Sequence, residues 1–485
     1  MMLLFPECRM AYLTRLLVTL AVASAAGCAT YEPAPLDTAR MVQDHEQSSI
    51  DAGAIEGELE QLAPGYTWDR NHWNRLVLFA AALNGNPHIE QSRAAVLATD
   101  AEAGASEIRP GPTFNLTGEY AFNQPEASPW LLGIGGDMPL DFGARREARI
   151  DIARLQARIA LINYLDTVWT VRSSLRRAFA EHLLATQESV IAGELVALRE
   201  RQADAMGRRV QEGDASQIDL SRVQADLASD RLRMAEAEAR ASASLVQLAS
   251  AVGVPPNAIT EDLLDWPEVA EPERLALPQL QSCREAAMLA RPSVMQASLA
   301  YDQAEARLKS AVAAQYPSVQ LGAGYTWERG LKKLPFSLGL ALPPLDLNRA
   351  AIAAAEARRQ EAGKAVEAAV ADAANALDLA VSQYGSAWRH LERTRTQAAI
   401  AQRAAERADT ALRLGAFNRI DWTAAQTTAR SMMLNELAAV RLVREAEAGL
   451  EDVLRQPLEG PEQAIRGTIT SDRKPTCEFF LPPSS

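Results

Sequence analysis

The chain has 485 residues, 48% hydrophobic but only 6% aromatic, with alanine dominating its long segments; such a composition favours packed helices over β-sandwiches. With 49 Lys+Arg against 62 Asp+Glu the net charge is −13, which excludes the basic footprint of a nucleic-acid-binding surface. The length would fill two or three ordinary domains, but an internal duplication makes two fused halves the better reading.

The N-terminus reads as a targeting segment. Arg15 precedes the apolar run Leu16 to Ala26, about eleven residues and too short to span a bilayer. Met10 is a plausible start, since residues 1–9 add nothing to a leader. The run ends in Ala25-Ala26-Gly27-Cys28, which resembles a bacterial lipobox. A signal peptide is therefore expected over residues 1–27, with Cys28 lipidated. Ala29, in place of the Asp tied to inner-membrane retention, points to the outer membrane. Residues 28–65 read as an extended segment. Cys8 lies in the leader, and Cys283 and Cys477 are far apart with no Cys-x-x-Cys anywhere, so the spacing supports no disulfide or metal framework.

Two repeats follow, expected over residues 66–256 and 279–457 with a linker at 257–278. Asn86-Pro87 opens the first and Arg291-Pro292 the second, 205 residues later. The same offset relates Pro112 to Pro317, Tyr120 to Tyr325 and Pro139-Leu140-Asp141 to Pro344-Leu345-Asp346. It shortens to 202 for Gly213 and Gly415, Ile218-Asp219 and Ile420-Asp421, and Gln224 and Gln426. So regular a duplication means two copies of one unit packed side by side.

Each repeat predicts helix, strand, strand, long helix and return helix. Short helices are expected over His88–Arg109 and Ser293–Tyr316. The proline-free stretches Ala144–Val210 and Ala350–Leu414 predict helices of roughly 100 Å, far beyond ordinary helix lengths. Ile152, Leu155, Ile159 and Ile162 supply the helical spacing. Glycine turns at Gly213 and Gly415 end them, and return helices are expected over Ser216–Val252 and Arg419–Gln456. Short and return helices together match the long helix in length, so two stacked end to end beside one long helix would form a uniform wall.

The strands, expected at about 113–123, 130–138, 318–327 and 334–342, alternate strictly. Phe114, Leu116, Gly118, Tyr120 and Phe122 oppose Asn115, Thr117 and Glu119, while Trp130, Leu132, Ile134 and Met138 oppose Gly133, Gly135 and Asp137. In repeat two Val319, Leu321, Ala323, Tyr325 and Trp327 share one face, as do Phe336, Leu338, Leu340 and Leu342. Nine to eleven residues, roughly, suffice for a tilted strand to cross a bilayer. Tyr120, Phe122, Trp130, Tyr325, Trp327 and Phe336 would form an interfacial girdle. Four strands cannot close a barrel and open edges are not tolerated in lipid, so oligomers are expected. A trimer would give twelve strands and a lumen, a dimer eight and a filled interior.

Leu83-Asn84-Gly85-Asn86-Pro87, Leu289-Ala290-Arg291-Pro292, the junctions Pro139–Gly143 and Pro344–Asn348, and the tips Gly213–Gln224 and Gly415–Gln426 together resemble the TolC-like outer membrane efflux proteins, in their lipid-anchored branch. The resemblance covers about residues 65–457. It implies a mainly α protein with a membrane β-barrel: a homotrimer with a twelve-stranded barrel continuing into a twelve-helix periplasmic tunnel. It also implies three partners: a periplasmic adaptor, a proton-driven inner-membrane transporter and outer-membrane lipid. The tips would dock the adaptor through Gly213 and Gly415, flanked by Arg209, Glu212, Arg413 and Phe417. Asp421 stands where the family narrows the periplasmic mouth with an acid. The family's second acid is Ala424 here, and Asp219 matches Asp421 in repeat one.

Enzyme readings find no support. Gly133-Ile134-Gly135-Gly136 runs into Met138 and Pro139 where a dinucleotide turn needs a third glycine and a helix. His45, His72, His88, His182 and His390 show no metal-ligand spacing. No cofactor is expected. The alternative is a lipid-anchored coiled-coil adaptor or scaffold without a channel, which should show one hairpin between soluble β-domains. Residues 458–485, rich in proline and polar groups, read as an extended tail. Cargo is left open among drugs, metals and other small molecules.

Overall fold

The computed structural model describes residues 31–122, 128–140, 144–275, 284–328 and 330–465. The leader, Cys28, Cys283, Cys477, residues 141–143 of the first junction and the tail beyond 465 lie outside the described residues. The chain divides into a small unit, residues 1–48, and a large one, residues 49–485.

The small unit carries α1 (Thr38–Glu46), capped where Asp37 accepts from the Arg40 N–H at 3.1 Å. In the large unit α2 (Ala52–Leu62) is capped by Asp51 and buries Ile55, Leu59 and Leu62. These two helices correct the expectation of an extended segment through residue 65. Each begins after an aspartate placed to satisfy free backbone N–H groups, and 55, 59 and 62 are spaced as one helical face. An unexpected α3 (Arg75–Gly85), capped by Asn74, is buried from Arg75 through Leu83.

Repeat one then follows the expected order: α4 (Pro87–Glu107), β1 (Thr113–Tyr120), β2 (Trp130–Pro139), α5 (Ala144–Gln211) and α6 (Gln217–Val252). Three 3-10 turns between Pro256 and Ala270 structure the linker. Repeat two gives α7 (Arg284–Leu289), α8 (Pro292–Ala313), β3 (Ser318–Glu328), β4 (Leu331–Lys333), β5 (Phe336–Ala341), α9 (Arg349–Arg413) and α10 (Arg419–Leu454). The expected fourth strand is β5, and β4 is an additional short piece before it. Pro335 has no N–H to give the ladder; instead its carbonyl accepts from the Gly324 N–H at 3.0 Å.

α5 is 68 residues long and α9 65. α4 and α6 both pack on α5, and α8 and α10 both lie between α5 and α9. The joint between α4 and α6 is tight: Asn86 Nδ2 donates to the Ala251 carbonyl at 2.9 Å. There Gly253 takes φ +96°, and a Cβ would stand 2.6 Å from the Asn86 Cα. Two shorter helices thus meet end to end beside a long one, as their lengths implied. The core sits at mid-wall, where Phe79 of α3, Leu175, Phe179 and Leu184 of α5, Tyr384 and Leu391 of α9, and Val443 and Leu450 of α10 are buried together. Towards the tip of repeat two, Ala401, Ala405 and Ala429 replace larger residues, so α9 and α10 approach closely.

The sheet is antiparallel in the order β1-β2-β3, with β4 and β5 both paired to β3. Its free edges are β1 and β4/β5, the strands next in sequence to α4 and α9. Both layers therefore end on the same two flanks.

Candidate functional site

Register decides what the two sheet faces present. Leu116, Ile134 and Tyr325 are aligned across three strands, as are Gly118, Leu132 and Trp327, and Met138, Leu321 and Leu338. This apolar face is uncovered among the described residues: Leu116 is 83% exposed and Phe336 84%. A soluble sheet would bury such a face on helices; here it has the pattern of strands facing lipid. The opposite face aligns Asn115, Gly135 and Gly324, then Thr117, Gly133 and Thr326. On it Asn115 Nδ2 donates to the Asp137 carboxylate at 2.8 Å, and Lys333 pairs with Glu328.

Of the girdle residues, Tyr120, Phe122 and Trp130 come together, with ring centroids 5.0 and 4.9 Å apart in edge-on contacts. Trp327 aligns with Leu132 and Tyr325 with Ile134, further along the strands. Phe336 shares a register row with Ala323, Gly136 and Phe114, six positions from Tyr120. The structure does not bring all six into one row.

At the far end of the wall the tips are exposed turns. Gly213 adopts φ +84° and Gly415 φ +75°, left-handed conformations that only glycine adopts without strain. The Asp214 N–H donates to the Arg209 carbonyl at 2.8 Å and the Ala416 N–H to that of Ala411 at 2.8 Å, closing the helices. Arg209, Glu212, Arg413 and Phe417 are exposed around these turns. Asp219 is occupied locally: its N–H donates to Ser216 Oγ at 3.1 Å and its carboxylate accepts from that hydroxyl at 2.8 Å. Asp421 is exposed in the first turn of α10, where Asn418 accepts from its N–H at 2.9 Å and the carboxylate has no partner among the described residues. A carboxylate there also gains from the helix dipole. Tip two carries a lock that tip one lacks: Asp409 accepts from Trp422 Nε1 and from Gln426 Nε2. Gly207 and Leu220 stand at the first two positions in repeat one.

Sequence reasoning missed the densest charge in the molecule. Arg75, Arg172, Arg176 and Arg444 meet Glu447, Glu451, Glu459 and Glu462 at mid-wall, all but Glu459 buried. Arg172 bridges Glu451 and Glu462 at 2.9 Å each. Arg176 and Arg444 both reach Glu459 at 2.9 Å, and Arg75 stacks on Trp266 at 3.9 Å. Burial, then the neighbouring Glu459 charge, pushes Glu447 up to about 7 despite Arg444 and Arg176. Glu459 is held at about 2: burial opposes its charge, but Arg176, Arg444 and Arg75 outweigh it. The cluster pins the start of the supposed tail, including the 3-10 turn Pro461–Ile465, so the expected extended segment begins no earlier than residue 466. No His, Cys, Asp and Glu grouping among the described residues could hold a metal ion.

An antiparallel sheet with one apolar and one polar face, set on a wall built around helices of 68 and 65 residues, defines a membrane-inserted β-protein with a long helical extension. The chain belongs to the outer membrane efflux protein family, whose pattern it matches over residues 78–254 and 284–454. It is 25% identical over 276 residues to the cobalt-zinc-cadmium resistance protein CzcC of Cupriavidus metallidurans, a stretch covering 56% of this chain and 63% of CzcC. The match thus spans less than two thirds of that relative. The fold of this chain is similar to that of CusC (TM-score 0.62, 18% identity, 81% of this chain and 99% of CusC). The open state of the Neisseria gonorrhoeae outer membrane channel MtrE is equally similar (TM-score 0.63, 19% identity, 78% of this chain and 88% of MtrE).

Proposed function

We propose that this chain is one third of a trimeric exit duct, the outer-membrane channel of a tripartite efflux pump. Three copies close a twelve-stranded barrel over a twelve-helix tunnel. The duct receives small molecules through a periplasmic adaptor from a proton-driven inner-membrane transporter. The carrying observation is the coincidence of free edges: sheet and wall stop on the same two flanks, and the uncovered sheet face is apolar. Head-to-tail joining of unlike edges closes a ring, and closure is what removes strand edges from lipid.

Further roles rest on the same reading. Cleavage after residue 27 and lipidation of Cys28 anchor the chain, and the aromatic side chains of the strands sit at the membrane interface. The tips around Gly213 and Gly415 dock the adaptor. Three Asp421 carboxylates ring the periplasmic mouth, repelling anions. Cargo is set by the transporter, and the resistance named for CzcC makes divalent metal cations the first class to test.

The test is imaging of the detergent-extracted protein together with recordings in a planar bilayer. A hollow threefold cylinder longer than about 100 Å with cation-preferring conductance is expected, and Asp421→Asn should weaken the preference. Single rods, soluble without detergent and without conductance, would instead establish the scaffold alternative.

A further inference from the structure

Beyond α10 the chain turns back on the wall. Arg455 caps the helix at φ +53°, a left-handed conformation that favours glycine, and residues 456–465 lie against α3 and α5. Leu458 and Ile465 fasten this strap by burial, and the Leu458 N–H donates to the Glu451 carboxylate at 2.8 Å. Its two carboxylates supply the remaining hold: Glu462 pairs with Arg172 at 2.9 Å, and Glu459 with Arg75 at 3.1 Å. At Gly460 the strap passes so close to Arg75 that a Cβ would overlap Nη2.

Glu459 shares its other donors with a carboxylate of the wall. Arg444 Nη1 donates to Glu459 Oε1 at 2.9 Å and to Glu447 Oε2 at 2.9 Å. Arg176 Nη2 donates to the same two oxygens, at 2.9 Å to Glu459 and 3.4 Å to Glu447. Neither guanidinium is free to turn towards one of them. Arg444 Nε is held by the Val269 carbonyl of the linker at 3.0 Å, and Arg176 Nη1 by the Arg444 carbonyl at 3.2 Å. A carboxylate fixed in α10 and one carried by the strap therefore compete for the same two nitrogens.

The charge on Glu447 decides that competition. Around it stand Arg444 and Glu451 of α10, Arg172 and Arg176 of α5, Arg75 of α3, Tyr384 of α9, and Glu459 and Glu462 of the strap. The linker adds Trp266 and backbone carbonyls, its Glu268 side chain being exposed. Glu447 Oε1 is buried with no hydrogen-bond partner among the described residues, so a negative charge there is poorly stabilised. Burial, then the Glu459 charge, raises the Glu447 carboxyl to about 7. Lifting the strap takes the Glu459 charge away and lowers the affinity of Glu447 for its proton; by linkage, losing that proton favours lifting. The hold is complete below the ordinary carboxylate range and is lost as pH rises to about 7.

We propose that residues 456–465 are a proton-operated latch: a proton on Glu447 leaves Arg444 and Arg176 to Glu459 and keeps the strap closed, and its loss lets the strap swing about Arg455 off α3 and α5. Opening uncovers Arg75 and Trp266, which stack at 3.9 Å beneath the closed strap. It also frees the linker side of the mid-wall from the segment that ties it to α5. The wall is thus tightest in acid surroundings and eases towards neutrality, without any change in its long helices.

Hydrogen–deuterium exchange of the full-length protein in detergent tests the latch, read by mass spectrometry from about pH 5 to about pH 8 and corrected for the intrinsic pH dependence of exchange. Protection of peptides covering residues 456–465 should fall by up to about tenfold per pH unit and level off beyond about 7. Peptides around Leu175 and Phe179 of α5 should keep theirs. E447Q, neutral at every pH, should hold the strap closed throughout. E445Q, which removes an exposed partner of Arg177 on the same helix, should behave as wild type. A strap with pH-independent protection in wild type, an E447Q strap that opens as wild type does, or α5 losing protection in step with the strap would each overturn the latch. Should E447Q fail to fold, E459Q decides: without the competing strap charge most of the pH dependence should vanish, and its survival in full would overturn the inference.

Discussion

Glu462 has no exposed surface, and Arg172 and Arg75 pair with its carboxylate. Removing Arg172 by mutation to Ala leaves Glu462 and Glu451 short of a partner, and a broken buried pair costs about 3–5 kcal/mol; thermal unfolding should show the fall. Replacing the exposed Arg231 of the pair with Glu200 should change stability by less than about 1 kcal/mol. The cluster also sets a pH dependence. Glu447 is raised to about 7, so the folded state binds the extra proton and stability falls as pH rises from the unfolded carboxylate value towards 7. Glu459 is depressed to about 2, so its contribution is present above the unfolded value and is lost as pH falls towards 2. Unfolding midpoints across pH 4 to 8, roughly from the unfolded carboxylate value to beyond that of Glu447, should decline with rising pH in wild type and flatten in Glu447→Gln. None of this was legible in the sequence. The partners come from five stretches separated by up to hundreds of residues, and a glutamate before Gly460-Pro461 looks like any polar tail.

At the scale of elements the sequence was far more informative. Helix length, strand alternation and the glycine turns are local properties, repeated twice, and each repeat checks the other. The departures were also local: Asp37 and Asp51 each open a helix where an extended run was expected, and Pro335 separates the last strand from an added short one, β4. What could not be read was which strands align, since register depends on partners from the other repeat; this is why Phe336 falls away from Tyr120. Asp219 likewise matched Asp421 by position, but Ser216 engages its carboxylate whereas Asn418 caps α10 by itself. The joint of α4 and α6 yields a sharp prediction. Gly253→Ala forces a Cβ against the Asn86 Cα and the Gly85 carbonyl at a left-handed φ. It should cost at least about 1–3 kcal/mol, read as a lowered melting temperature, while Gly207→Ala, in open space near the end of α5, should be neutral or stabilising.

On the scale of the whole molecule, the mid-wall cluster joins α3, α5, α10, the linker through Trp266 and the segment around Glu459. Ending the chain at Arg455 would leave four arginines with two glutamates; yield and melting temperature should both collapse. The tips lie far from this node and carry only their own helices, so stability is concentrated at mid-wall and the proposed docking end is left adaptable. The polar face of the sheet has a different consequence. Gly133, Gly135, Gly322, Gly324 and Gly339 make its surface by withholding side chains, so the bore of the pore is written in absences. At Gly135 a new side chain would meet nothing closer than 3.8 Å, while at Gly322 it would run into Ser337 and Asp137. One substitution narrows the proposed pore at three places at once, so calibre can drift through Gly135 under selection for different traffic, while Gly322 holds the gauge fixed.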